Sequence, residues 1–433
     1  MRDLFLFFFG IFITILNAQT DSLFTRLPEN IYTTNTSKYS VYYKNVVLTQ
    51  HPEDYSFSVN CPVGFDDGDK YNLDSLNSGI YPLCIDVKDS LGNLLGTDGC
   101  QLLVTENNIS QSDTLRMLFV GNSLTYAGKY ERNIKTLMDE SGSYPVKFLG
   151  TQFYNEQDSI DGIFHEGRAG WSWGTYCRSN LSPFVYSEFP GVDVERYLHE
   201  KLNDEIPDIV IFFLGVNDIF GINSTSLETI DAGITDIFKS WNMGLVIDEF
   251  EEALPNTPIG IVLIPVANER LEPWYLQYGD SAKAWEYRQC QHRLEQRYID
   301  HYNDLSRQNF SMIPVYPNID TYNGYYETDA RHPNLLGYNQ ISHSIYGWIK
   351  YQISQWMKEP ENLIIVNSGS CASLSWDLMT GAAKYNIYRS PDPYAGFTLI
   401  GSTDGTSFID PESSGSDQYF YRVTAENSLK NNK

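Results

Sequence analysis

The sequence predicts an α/β domain built on a parallel sheet and set between two β-sandwich regions. Two observations point there. Short apolar runs alternate with amphipathic stretches through the middle of the chain, and short aromatic or alternating runs recur at both ends. A chain of 433 residues has room for two or three such units, each with its own core. Hydrophobic residues make up 42% and aromatic residues 14%, which places it among globular rather than disordered sequences.

At the N-terminus, Arg2 precedes an apolar run from Leu4 to Leu16, followed by the polar Asn17-Ala18-Gln19. Thirteen apolar residues fall short of the about 20 needed to span a bilayer, so residues 1–18 read as a secretory signal peptide cut after Ala18. No cysteine closes the run, which argues against a bacterial lipoprotein. The expected location is secreted or periplasmic, without stable membrane insertion after cleavage.

Residues 19–106 carry YSVYYKNVVL, YSFSVNC, YPLCIDVKDSLGN and QLLVTEN, separated by Gly, Asn and Asp clusters, as in a small β-sandwich. Three of the six cysteines, Cys61, Cys84 and Cys100, fall here. In an exported chain one disulfide among them is expected, with its pairing open. The polar stretch Asn107 to Thr114 reads as a linker.

From Leu115 to about Lys358 the pattern changes. LRMLFVG, PDIVIFFLG, PIGIVLIPV and FSMIPVYP are continuously apolar, as parallel strands covered on both faces must be. YERNIKTLMDESG, SAKAWEYRQCQHRLEQRYIDHYND and NLLGYNQISHSIYGWIKYQISQW read as helices. The tail, 363–429, returns to strand residues between Gly, Pro and Asp turns. Its aromatic placement, Trp376 early, Tyr385 and Tyr388 central, Tyr419 and Tyr421 late, resembles a fibronectin type III module.

Charge narrows the partners. Thirty Lys and Arg against 55 Asp and Glu give a net charge of −25, with no compensating basic run. That field repels nucleic acid and anionic membrane and favours neutral partners such as sugars.

Four short stretches of the middle domain carry chemistry. In LFVGNSLTYAG a buried strand ends near Ser123, at the carboxyl edge where function gathers in open α/β sheets. In HEGRAGWSW (165–173), Gly167 and Gly170 leave room for a group to reach backbone N–H donors. In FFLGVNDIF (212–220), Asn217 follows another strand and can donate to a developing oxyanion, while Asp218 fixes its loop. In TDARHPNLLGYNQ (328–340), Asp329 can orient His332, three residues on, just before a helix starting near Asn334. Alone, each is an ordinary turn; together and in this order they are specific.

The four blocks resemble those of the SGNH hydrolases, also called the GDSL esterase/lipase family. Gly121-Asn122-Ser123 stands where the family usually has Gly-Asp-Ser, with Asn a familiar variant. Gly170 best matches the second block, with Gly167 as the fallback. Gly215 to Asp218 match Gly-x-Asn-Asp, and Asp329 to Asn334 match Asp-x-x-His-Pro-Asn. The resemblance covers a little over half the chain, from Leu115 to Lys358, and departs from the minimal pattern between Gly170 and Pro207.

It implies a flavodoxin-like three-layer SGNH hydrolase domain with Ser123 as nucleophile, His332 as general base and Asp329 orienting it. The oxyanion hole would be the Ser123 and Gly170 amides plus the Asn217 side chain. No cofactor or metal is called for, because serine and oxyanion hole supply nucleophile and electrophilic assistance.

GRAGW and the preceding β-region look similar to SGNH carbohydrate esterases that deacetylate xylan and related glycans. Trp171, Trp173 and Tyr126 are therefore candidate substrate-binding residues, with core packing as the equal alternative. An acetylated polysaccharide or oligosaccharide is the expected substrate. A short-chain lipid or small-ester esterase, and an inactive glycan-binding protein, are the other readings. Oligomeric state is not legible.

Overall fold

The structure is a computed structural model that describes residues 27–107, 114–142, 144–186, 191–304, 309–356, 359–360, 362–367, 371–378, 382–393, 396–411 and 418–427. The signal peptide reading and most of the expected linker lie outside these residues.

Five lanes of parallel strand form the central sheet. Leu115–Gly121 pairs on one side with Val146–Leu149 and then, further along, with Glu166–Gly167. On its other side lie Ile209–Phe213, Ile259–Leu263 and Phe310–Pro314, in that order. The order is therefore second, first, third, fourth, fifth: the doubly wound flavodoxin-like arrangement, which opens a crevice where the chain reverses direction between the first and third strands.

Every residue of Ile209–Phe213 and Ile259–Leu263 is buried, as a sheet with helices on both faces requires. The expected strands and helices are present, including Lys129–Glu140, Lys283–Asp304 and Leu335–Trp356. The edge strands Val146–Leu149 and Glu166–Gly167 were not legible in sequence. Their four and two residues are too short for either period to register.

The N-terminal residues form two sheets. One holds Asn30–Thr34, Leu94–Thr105, Gly79–Lys88 and Ser56–Asn60; the other holds Lys38–Tyr42, Lys70–Asp74 and Phe65–Asp66. Within the run YSVYYKNVVL the strand Lys38–Tyr42 stops at Tyr42 and the chain turns through a 3-10 helix, Tyr43–Asn45. Asn45 is held there because its Nδ2 donates to the carbonyls of Tyr316 and Ile319, at 2.8 and 2.7 Å.

This region does not close a core of its own. One hydrophobic cluster runs from Leu27 and Ile31 through the parallel sheet to Ile353. Tyr39 donates to the Pro314 carbonyl at 2.8 Å, and the Ser40 amide donates to Asn318 Oδ1 at 2.8 Å.

The tail has a separate small core, in which Trp376 meets Tyr385 at 5.3 Å beside Leu374, Ile387 and Val423. Two three-stranded antiparallel sheets enclose it, Ile364–Asn367/Ala372–Ser375/Ser407–Asp410 and Thr398–Thr403/Ala382–Ser390/Phe420–Asn427.

Cys61, Cys84 and Cys100 are free thiols, which corrects the expected disulfide. Strand register explains it. Leu83 pairs with Cys100 and Cys84 with Gly99, so Cys84 and Cys100 point to opposite faces of the sheet. Asn60, not Cys61, stands opposite Cys84. Cys61 and Cys100 flank the Gly79–Lys88 strand from either side, roughly two strand spacings or about 9–10 Å apart, beyond disulfide reach.

The helix Leu335–Trp356 lies so close to the first N-terminal strand that a Cβ on Gly347 would sit 2.5 Å from the Tyr32 carbonyl oxygen. Gly347→Leu is expected to cost about 2–3 kcal/mol, because backbone on both sides must separate. Thermal unfolding should show a melting temperature lowered by several degrees, and one within about 1 °C of wild type would show that the contact relaxes freely.

Candidate active site

Ser123 owes its position to the two residues before it. Gly121 ends the first strand, and any Cβ there would lie 1.9 Å from Thr125 Oγ1. Only glycine lets the chain turn this tightly. Asn122 then caps the one-turn helix Ser123–Tyr126, its side chain accepting from the Leu124 amide at 2.9 Å. The strand therefore stops at Gly121 rather than at the serine, and Ser123 is the first helical residue. Its own N–H belongs to the first turn, where amides lack intrahelical partners.

Asp329 and His332 come from the far end of the domain. Asp329 Oδ1 accepts from the amides of Arg331 and His332, at 2.9 and 2.8 Å, which closes the turn. Both carboxylate oxygens lie near His332 Nδ1, at 3.1 and 3.0 Å. Since a carboxylate can only accept, Nδ1 carries the proton and Nε2 is left as an acceptor. Ser123 Oγ lies 2.9 Å from that Nε2.

Burial alone would raise the Asp329 carboxyl. The hydrogen bonds from the His332 ring and the two amides outweigh it and hold the group well below the usual carboxylate range. Asn334 fixes the start of the following helix: Nδ2 donates to the Asn323 and Tyr325 carbonyls, and Oδ1 accepts from the Leu336 amide.

Asn217 stands past the third strand, after Gly215 at φ 114, on the short helix Val216–Phe220. Its Nδ2 donates one hydrogen to the Trp171 carbonyl at 2.8 Å, and the second N–H remains for another acceptor. Asp218 accepts from the amides of Trp173 and Gly215, at 3.0 and 3.2 Å, binding the Asn217 turn to the glycine loop as a structural clamp. Desolvation pushes its carboxyl up to about 7.

The two candidate glycines differ. Gly167 is buried, and its N–H already donates to His165 Nδ1 at 3.0 Å. Gly170 is exposed, at φ 80, with open space where a Cβ would be. The loop between them is anchored by Glu166, which is buried and accepts from the Thr151 amide, Arg168 and the Tyr197 hydroxyl, at 2.8, 2.7 and 2.9 Å. The Arg168 guanidinium lies 5.0 Å from the Trp171 ring centre. Glu166 and Arg168 were missed in sequence, although their Glu-x-Arg spacing inside HEGRAGW was visible.

Of the three candidate substrate-binding aromatics, Trp171 and Tyr126 are half-buried. Trp173 is a correction. It is 0% exposed, packs 5.1 Å from Phe212 and donates Nε1–H to the Tyr298 hydroxyl at 2.8 Å, so it is core. Tyr154 and Tyr326 were not foreseen as aromatic surface near the site. Tyr154 is exposed and meets Tyr126 edge-on at 5.7 Å, and the exposed Tyr326 accepts the Asp329 amide on its carbonyl. Among the described residues there is no group of three or more His, Cys, Asp or Glu that could hold a metal ion.

Chemically, the arrangement offers a hydroxyl, a base oriented by a carboxylate, and amide donors on two neighbouring loops. Ser123 and Asn217 lie at the carboxyl ends of the first and third strands, on either side of the crevice, and the Asp329–His332 turn is brought to the serine from beyond the fifth strand.

No family model matches the chain, and no curated protein does. Its fold is similar to several solved structures. The family 3 carbohydrate esterase of Clostridium thermocellum is 17% identical, with 56% of this chain and 98% of that one covered and a TM-score of 0.38. A carbohydrate esterase family 3 structure from Talaromyces cellulolyticus is 16% identical, over 56% of this chain and 99% of that one, with a TM-score of 0.38. An Fn3-like protein from Clostridium thermocellum is 28% identical, over 17% of this chain and 79% of that one, with a TM-score of 0.16.

His165 and Asp218 make opposite pH signatures. Desolvation lowers the His165 imidazole from 6.5 to about 4, so stability is lost as pH falls from about 6.5 towards 4, where only the unfolded chain takes the proton. Asp218, raised from 3.8 to about 7, loses stability as pH rises through that window. His165→Gln removes the first contribution alone. Relative to wild type, the variant should gain on the order of 3 kcal/mol between pH 7 and pH 4, measured by urea unfolding at several pH values. A stability gap that does not change with pH would show that His165 is not held neutral.

Proposed function

We propose that the protein is a secreted serine esterase of the SGNH type that removes O-acetyl groups from a polysaccharide such as xylan. The observation that carries this reading is the continuous hydrogen-bond line from Asp329 through His332 to Ser123, joining a serine and a histidine 209 positions apart.

In the proposed reaction His332 Nε2 takes the Ser123 Oγ proton as Oγ attacks the ester carbonyl. Negative charge develops on the carbonyl oxygen, where the Ser123 and Gly170 amides and the second Asn217 N–H donate to it. The protonated His332, stabilised by the Asp329 carboxylate, then gives its proton to the departing sugar hydroxyl and leaves an acetyl-Ser123. Water, deprotonated by the same imidazole, attacks this ester. Acetate leaves, and the proton returns to Ser123.

Because the Asp329 carboxyl is held so low, it stays ionised throughout the working range and can keep stabilising the imidazolium. A glycan rather than a lipid is favoured by the exposure of the site. His332 keeps 39% of its side chain in solvent, and Trp171, Tyr126, Tyr154 and Tyr326 offer partly open aromatic faces suited to sugar C–H surfaces.

The test is acetate release from acetylated xylan and from 4-nitrophenyl acetate. Wild type should release acetate from both, and Ser123→Ala, which deletes one oxygen, should lose both while unfolding at the wild-type temperature. A Ser123→Ala protein with near-native rates would overturn the assignment. Release from the small ester alone would keep the hydrolase and drop xylan. Asp329→Asn should lose less than His332→Ala, by about tenfold or more in kcat, because it misorients the base without removing it. The reverse order would contradict these roles.

A further inference from the structure

A cavity of about 410 Å³ lies between the N-terminal region and the parallel-sheet domain, within the size range of small-ligand sites. The turn and loop from Lys44 to Pro52 supply one wall, and the segment after the fourth strand together with the start of the helix Lys283–Asp304 supplies the other. Neither part makes it alone.

Its lining offers the half-buried ring of Trp285 over a floor of the buried Trp274 and Tyr287, with hydrogen-bonding groups from Thr49 and Gln50 at the rim. The charges around it are already engaged. Lys44 Nζ pairs with Glu269 at 2.5 Å, and Arg288 donates to the carbonyls of Asn45 and Val47, at 3.0 and 2.8 Å. A charged ligand would have to break these pairs, whereas an uncharged one with hydroxyls on its rim and C–H groups on its faces meets ring surface and polar groups without doing so.

The cavity also adjoins the loop that carries Asp329. Asn268 lines it while donating Nδ2–H to the Tyr326 and Asp329 carbonyls, at 3.0 and 2.9 Å, and Trp274 Nε1 donates to the Asn268 carbonyl at 2.8 Å.

We propose that this cavity is a second binding site, distinct from the Ser123 site, for a neutral sugar or short neutral oligosaccharide. The N-terminal region is then half of a ligand site rather than a spacer. The proposal does not depend on the esterase reading, because binding can be measured with a sugar that carries no ester.

The experiment is calorimetric titration of the full chain with xylobiose, in wild type, Trp171→Ala and Ala284→Trp. Ala284 lies on the cavity wall, and the larger ring fills the space. Saturable binding that survives Trp171→Ala and is lost in Ala284→Trp is the expected result. Because Ala284→Trp could disturb the fold, Gln50→Ala on the exposed loop serves as the second variant and should weaken binding about fivefold or more. Three results would overturn the proposal: no saturable binding by wild type, binding unchanged in Gln50→Ala and Ala284→Trp, or binding lost in Trp171→Ala alone. The last would place the sugar at the Ser123 site instead. Glucuronic acid, the charged probe, should bind more weakly than xylobiose, and tighter binding of the acid would contradict a neutral site.

Discussion

Everything at the candidate site depends on how tightly the chain can turn at Gly121. The first strand must end, reverse into a one-turn helix and leave Ser123 pointing into the crevice, all within two residues. A methyl group at Gly121 would collide with Thr125 Oγ1 at 1.9 Å, so the turn exists only with glycine. The Gly121 carbonyl is then used twice more. The Arg168 amide donates to it at 3.0 Å and the Tyr176 hydroxyl at 2.8 Å, which ties the glycine loop and the helix Trp173–Arg178 to the serine turn. The Ser123 turn and the loop bearing Gly170 are therefore one piece of structure.

The remaining parts reach the site by longer chains of support. Asn217 is aligned by Asp218, whose carboxylate grips the amides of Gly215 and Trp173 together. Asp329 is aligned from outside its own turn by Asn268, which holds its carbonyl, and Asn268 is held in turn by Trp274. The N-terminal region joins this scaffold through Tyr39, Ser40 and Asn45, each bonded to the 314–319 segment at and just beyond the end of the last parallel strand. Its burial of Ile31 and Tyr32 in the common core makes it structural for the whole molecule.

Much of this was legible beforehand, for identifiable reasons. The four long parallel strands announce themselves because residues buried on both faces must all be apolar. Ser123, Asn217, Asp329 and His332 were readable because each follows a strand end or precedes a helix start, where a polar residue beside a glycine or proline is conspicuous. The misreadings share a cause. Trp173 and Trp171 look alike in sequence, yet one lies against Phe212 and the other against Arg168. The three N-terminal cysteines look pairable until strand register puts them on opposite faces or two strands apart.

By itself, then, the sequence determined the α/β class and the strand-helix alternation, and it singled out the serine, histidine and aspartate that the fold brings into one hydrogen-bond line. Those follow from local periodicity and from residue types that few other contexts require. Only the tertiary structure decided that Ser123 Oγ and His332 Nε2 stand 2.9 Å apart, which tryptophan faces solvent, that the Gly167 amide is already spent on His165, and that the N-terminal sheets share a core with the parallel sheet. Each of these depends on which residues distant in the chain are packed together. That is set by the balance of burial over the whole fold, and no stretch of a few residues encodes it.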